Sequence, residues 1–291
     1  METAAGPTLP NPVLERYARD ALAEDLGSGD ITTDLLIPWD ARAAATLVAR
    51  AAGVVAGLDL ARTVFLELDP DLGVTLEAAD GDQVTAGTPL ASIQGRARPI
   101  LSGERVALNW VGRLSGIASL TREYVRAVEG TGARIVDTRK TTPGLRVLEK
   151  YAVRCGGGRN HRMDLSDGFM LKDNHRAALK RAGTTVPDAV REARRRMGHG
   201  VFVTIEVDRI EDLADALEAG ADGVLLDNMT PEQLTLAVEQ VGGAALAEAS
   251  GGITLESVRA AAESGVDLIS VGALTHSAPA LDVALEFDWE G

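Results

Sequence analysis

Residues 12–26 carry apolar side chains at helical spacing and stop at Gly27, which predicts a helix with a glycine terminator. From Ala43 to Gln94 the texture shortens to β-prone runs separated by Gly, Asp and Pro. These runs are Ala45–Arg50, Gly53–Gly57, Gly73–Ala78 and Pro89–Ile93. Helical spacing returns over Ser102–Val128, with Val106, Leu108, Val111, Leu114, Ile117 and Leu120 on the apolar side. Strand-like and helix-like pieces then alternate. The predicted strands are Arg134–Thr138, Phe169–Lys172, Val201–Val207, Gly223–Asp227, Ala244–Ala249 and Leu268–Val271, and the clearest helices are Pro187–Met197, Glu211–Ala219, Pro231–Val241 and Leu255–Ser264. Four of these strands are nearly continuous apolar or β-branched runs, as a parallel sheet buried on both faces requires. Short Gly-containing links such as Glu218-Ala-Gly-Ala-Asp-Gly223 join helix to strand and point to an α/β barrel. Six strands fall short of eight, so the expected fold is α/β: an N-terminal α/β sandwich over 1–117, then an open, incomplete α/β barrel over 118–276. Residues 277–291 are expected to pack back on the sandwich.

Composition narrows the classes. With 45% hydrophobic and 25% charged residues the chain reads as an ordinary globular protein. No apolar run approaches the roughly 20 residues that span a bilayer, and the N-terminal stretch does not read as a secretory signal. A single cysteine, Cys155, rules out an internal disulfide framework and suits a reducing cytoplasm. The piece Glu77-Ala-Ala-Asp-Gly-Asp-Gln-Val-Thr-Ala-Gly resembles the strand-turn pattern of biotinyl/lipoyl domains, but no lysine precedes Lys140, so a swinging-arm carrier is excluded.

A net charge of −14 argues against general nucleic-acid binding. The charge is uneven: residues 134–181 hold twelve Lys/Arg against five Asp/Glu. All four lysines of the chain (Lys140, Lys150, Lys172, Lys180) lie in that stretch, against 25 arginines overall. Where arginine supplies generic charge, retained lysines are candidates for work needing a compact ammonium on a flexible stem.

Reacting groups of a parallel α/β barrel project from the C-terminal ends of its strands. Each of the six predicted strands ends in polar or Gly-rich sequence. Arg139, Lys140, Arg162 and Lys172, with His161 nearby, suit a ligand carrying several anionic groups. Glu206 and Asp227 suit a Mg²⁺ held partly by substrate phosphates, or the hydroxyls of a ribose. Ser250-Gly251-Gly252 and Val271-Gly272-Ala273 let backbone N–H groups approach a phosphate. The ligand so described has a phosphate end, a metal-associated middle and a carboxylate-rich end.

The runs Asp137-Thr-Arg-Lys-Thr-Thr-Pro-Gly-Leu-Arg146, Glu149–Arg162 and Leu171-Lys-Asp-Asn-His175 closely resemble the quinolinate phosphoribosyltransferase family. The similarity continues through Glu206-Val-Asp208, Leu226-Asp-Asn228, Ser250-Gly-Gly-Ile253 and Val271–Ser277, and back to Leu101–Asn109 and Leu114–Ala118. The resemblance implies phosphoribosyl transfer from 5-phosphoribosyl diphosphate to quinolinate in NAD biosynthesis, giving nicotinate mononucleotide, diphosphate and CO₂. It implies that Thr138, Arg139, Arg162, Lys140, His161 and Lys172 receive the quinolinate carboxylates and the diphosphate. Glu206 and Asp227 lie near ribose and Mg²⁺, and Ser250, Gly251, Gly252, Val271, Gly272 and Ala273 hold the 5-phosphate. Lys140, Lys172, Glu206 and Asp227 carry the chemistry. Arg105 reaches the pocket of a neighbouring subunit, implying at least a homodimer, with a hexamer left open. Three alternatives remain at this level: a Schiff-base lyase using Lys140 or Lys172, a paralogue of the same fold associated with molybdate operons, and a binding protein without catalysis.

Overall fold

The computed structural model describes residues 6–289. Along the chain the elements begin α1 (Asn11–Leu26), α2 (Ile31–Leu36), β1 (Arg42–Ala49), β2 (Gly53–Val54), α3 (Leu58–Leu68), β3 (Gly73–Leu76), β4 (Gln83–Val84), β5 (Pro89–Arg96) and α4 (Ala97–Ala127). They continue β6 (Arg134–Val136), α5 (Arg146–Cys155), β7 (Phe169–Leu171), α6 (Asp173–Arg181), α7 (Val186–Arg196), β8 (Val203–Val207), α8 (Leu213–Glu218), β9 (Gly223–Asp227) and α9 (Pro231–Val241). The chain closes with β10 (Leu246–Ser250), α10 (Val258–Glu263), β11 (Leu268–Ser270), α11 (Ala273–His276) and β12 (Val283–Asp288). Two compact units result. One holds the chain up to Arg122, Val147–Gly157 and the stretch from Ser277; the other holds Glu123–Arg146 and Gly158–His276.

The first unit is built on an antiparallel sheet in the order β12-β1-β5-β3, with a two-stranded β2-β4 ribbon. Alternating Ala43, Ala45 and Leu47 of β1 are buried with Leu90 and Ile93 of β5. The last strand, β12, runs antiparallel to β1 from Ala44↔Asp288 to Ala49↔Val283. Between the β-prone runs lies a helix that their texture conceals. Leu58, Leu60, Ala61, Val64 and Phe65 form the buried stripe of α3. Its first turn is held by Asp80, whose carboxylate accepts from Gly57 N at 2.7 Å and Leu58 N at 3.1 Å. Helix α4 starts five residues before the predicted Ser102, because Pro99 falls in its first turn, where a missing N–H costs nothing.

The second unit contains a six-stranded parallel sheet in the order β6-β11-β10-β9-β8-β7. Strands β6 and β7 stand at its two ends, and no pairing joins them among the described residues, so the barrel is open as the strand count implied. The register decides where the polar residues go. Glu206 pairs with Leu225, Leu225 with Glu248 and Glu248 with Leu268, forming one rung, while Asp227 and Ser250 pair two residues further toward the C-terminal ends, on the same face. The alternate residues Ile205, Val207, Val224, Leu226, Ala247, Ala249 and Ile269 are apolar and buried. Period-two alternation therefore collects the carboxylates and hydroxyls of β8, β9 and β10 on a single face. No helix of the described residues is long and apolar enough to cross a membrane.

Candidate active site

A cavity of about 420 Å³ opens at the C-terminal ends of the parallel strands. It is lined by Thr138, Arg139 and Lys140 after β6, His161 and Arg162 before β7, Met170 and Lys172 at β7, and Glu206, Leu225, Asp227, Glu248, Ser250 and Ser270 from β8 to β11. Nine residues proposed from the sequence thus share one wall: Thr138, Arg139, Lys140, His161, Arg162, Lys172, Glu206, Asp227 and Ser250.

The basic side of the cavity rests on buried polar supports. Asp137 is fully buried, and its carboxylate accepts from Asn160 Nδ2 at 2.6 Å and from the backbone N–H of His161 at 2.9 Å. It thereby ties the loop carrying His161 and Arg162 to the end of β6. The backbone of Lys140 is pinned on both sides: its N–H donates to Thr138 Oγ1 at 3.0 Å, and its carbonyl accepts from Thr275 Oγ1 at 2.7 Å. Arg162 donates to the Gly168 carbonyl at 3.1 Å, and its pKa is lowered by burial first and by the Arg139 cation second. Arg139 Nε is buried with no hydrogen-bond partner. Among the described residues neither guanidinium has an ion-pair partner, so two cations without a protein counter-ion line a cavity of anion size.

The acidic side is organised differently. Lys172 Nζ meets Glu206 Oε2 at 2.7 Å, a pair half open to solvent at the lysine. Asp227 accepts from Asn228 Nδ2 at 2.7 Å, and its pKa is raised by burial first and then by the charges of Glu206 and Asp208. Among the described residues no three His, Cys, Asp or Glu side chains gather into a metal cage. Two carboxylates on adjacent strands, one already bridged to a lysine, suit a Mg²⁺ that takes most of its ligands from substrate phosphates and water.

The loops after β10 and β11 need their glycines. Gly251 has φ +88°, and a side chain there would collide with the backbone and side chain of Asn228, itself held at φ 56°. At Gly272 a Cβ would press on Lys140 Cδ at 3.0 Å, so the lysine stem runs across a residue with no side chain. Gly251, Gly252, Val271 and Gly272 form these loops and Ala273 opens α11, none of them lining the cavity wall itself. Arg105 is an exposed residue of α4 in the first unit and does not line the cavity. His175 accepts the backbone N–H of Lys172 at 3.0 Å, capping α6.

Four lining residues lie outside the candidate set: Met170, Leu225 and Ser270, and Glu248, which the sequence places at a polar strand end without a role. Strand alternation could have found Glu248, since it shares a face with Ser250 two residues on. Cys155, by contrast, is buried in the first unit and its thiol is pushed up to about 12, by burial first, which marks an inert side chain.

An open α/β barrel whose rim joins unpaired guanidiniums, a Lys–Glu pair and glycine loops defines a class that binds polyanionic substrates at the strand ends. Comparison with known proteins specifies it. Residues 30–115 match the quinolinate phosphoribosyl transferase N-terminal domain and residues 117–286 its C-terminal domain. A Bacillus subtilis (strain 168) protein named probable nicotinate-nucleotide pyrophosphorylase, carboxylating, is 42% identical over 94% of this chain and 93% of its own. The Arabidopsis thaliana chloroplastic nicotinate-nucleotide pyrophosphorylase, carboxylating, is 40% identical over 98% and 85%. Among solved structures, NadC from Streptococcus pyogenes superposes with a TM-score of 0.92 at 39% identity, over 98% of this chain and 99% of that one. The chain belongs to the quinolinate phosphoribosyl transferase family.

Proposed function

We infer that this chain transfers the phosphoribosyl group of 5-phosphoribosyl diphosphate to the ring nitrogen of quinolinate, releasing diphosphate and CO₂ and leaving nicotinate mononucleotide. The observation that carries the reading is the pair Arg139 and Arg162. The two share one cavity without an ion-pair partner among the described residues, and burial already destabilises the charge on Arg162. A vicinal dicarboxylate is a ligand that answers both guanidiniums at once.

The chemistry asks for little acid–base work. The ring nitrogen's electron pair forms a bond to C1 of the ribose while the C1–O bond breaks and diphosphate departs with its electrons. The quaternised ring is then an electron sink: the bond from C2 to its carboxylate breaks, CO₂ leaves, and a proton is taken up at C2. Arg139 and Arg162 hold the acceptor so that its nitrogen faces C1. Lys140, over Gly272, and Lys172 offer ammonium groups to the charge that develops on the departing diphosphate. Glu206 and Asp227 face the ribose, and they are the residues that would hold Mg²⁺. When bound, the ion supplies further neutralisation of the diphosphate. Ser250–Gly252 and Val271–Ala273 receive the 5-phosphate. Arg105, exposed on its helix, serves the cavity of a second copy, so the working form is a homodimer at least. The single buried thiol suits the cytoplasm.

Equilibrium binding of pyridine acids tests the acceptor assignment. Quinolinate should bind the unliganded protein more tightly than nicotinate, and Arg139→Ala should abolish that preference. Equal affinity for the mono- and dicarboxylate would remove the assignment.

A further inference from the structure

Resting on the reading above, we propose that Glu248 is a positioning residue for the acceptor: it fixes the tautomer of His161 and so the orientation of the loop that presents Arg162.

Glu248 is the one carboxylate of its rung that has no lysine or arginine beside it among the described residues. Glu206, two strands away on the same rung, is paired with Lys172 at 2.7 Å. Glu248 is 4% exposed, its Oε1 is buried with no hydrogen-bond partner, and it lines a cavity built for anions. A buried carboxylate at an anion site repels the ligand, so its presence there calls for a role beyond charge.

That role is visible at its other oxygen. Glu248 Oε2 lies 3.3 Å from His161 Nε2. The opposite ring nitrogen, Nδ1, accepts the backbone N–H of Arg162 at 2.7 Å. A nitrogen that accepts carries no proton, so the ring proton of His161 belongs on Nε2, facing Glu248. The imidazole therefore has an acid within 3.3 Å of Nε2 and accepts the next residue's amide at Nδ1. Its backbone is held by a second buried acid, Asp137. Glu248, His161 and Arg162 also line a second cavity of about 330 Å³ that includes Phe169, Phe202 and Leu268. The three residues are thus common to the walls of both cavities, and loosening the ring would let Arg162 shift out of register with Arg139.

Charge and positioning predict opposite signs. Were Glu248 only a buried negative charge, removing it would tighten quinolinate binding. As a positioning residue, Glu248→Met should raise the KM for quinolinate about tenfold or more, leave the KM for phosphoribosyl diphosphate within about threefold, and keep a cooperative melt. Glu248→Gln retains an acceptor for Nε2–H and should stay within about threefold of the native KM for quinolinate. The ring itself is read by ¹⁵N NMR of the native protein, with His161→Asn identifying its signals among the four histidines. This measurement needs no turnover, so it fails independently of the proposed reaction. The expected spectrum is a neutral ring protonated at Nε2 in the native protein and in Glu248→Gln. An Nδ1–H tautomer in the native protein, tighter quinolinate binding by Glu248→Met, or equal losses in both variants would overturn the proposal.

Discussion

At the scale of single residues, the four lysines separate cleanly by environment. Lys140 and Lys172 line the cavity, Lys180 is exposed on α6, and Lys150 is fully buried in the first unit. Their scarcity against arginine pointed to the stretch that supplies Lys140 and Lys172 to the cavity, but scarcity carries no information about burial, so it could not separate the cavity lysines from the others. Substitution can. Lys140→Ala should lower kcat/KM by an amount equivalent to about 2–5 kcal/mol with an unchanged melting temperature. Lys150→Ala should lower the melting temperature and leave the substrate KM values near native. Steady-state kinetics and thermal melts on both variants check this, and the reverse pattern would reassign Lys140. Glu248 follows the same logic: the sequence marks it as part of a polar strand end on the face of Ser250, and its place in the cavity wall comes from the fold.

At the scale of elements, the parallel strands were legible because both of their faces are buried and their apolar runs are nearly continuous. Helix α3 was not, since its stripe Leu58–Phe65 sits among β-prone runs and starts without a capping side chain of its own. Its N-terminal cap arrives from Asp80, 22 residues downstream of Leu58, a relation that no local pattern contains. The C-terminal end of α3 carries a pH-dependent contact. Asp69 accepts from Arg96 Nε at 2.8 Å and from Asp71 N at 3.0 Å, and its pKa is lowered, with the Arg96 hydrogen bond as the largest cause. A carboxyl lowered on folding contributes stability above its unfolded pKa, and that contribution is lost as pH falls through the folded value. Melting temperatures taken from about pH 7 down to about pH 3 should therefore fall less steeply for Asp69→Asn than for the native chain. Parallel curves would show that the contact contributes nothing.

At the scale of the whole molecule, an acidic chain concentrates net positive charge in the stretch that contributes Arg139, Lys140, Arg162 and Lys172 to one cavity. The uneven charge was plain in the sequence, as was the convergence of polar strand ends. The division of the fold was less so, because α5 (Arg146–Cys155) lies between β6 and β7 in sequence yet belongs almost wholly to the first unit. The shared-site arrangement inferred for Arg105 predicts complementation. Arg105→Ala and Lys140→Ala, each inactive alone, should regain about a quarter of native activity when mixed as dissociated subunits, since half the dimers then hold one intact site. No recovery on mixing would place Arg105 in its own subunit's chemistry or outside it.

The most direct measurement is the product balance with quinolinate, 5-phosphoribosyl diphosphate and Mg²⁺. One CO₂ should appear for each nicotinate mononucleotide formed, with no turnover when nicotinate replaces quinolinate. Absence of product from quinolinate, together with phosphoribosylation of another pyridine, would contradict the account.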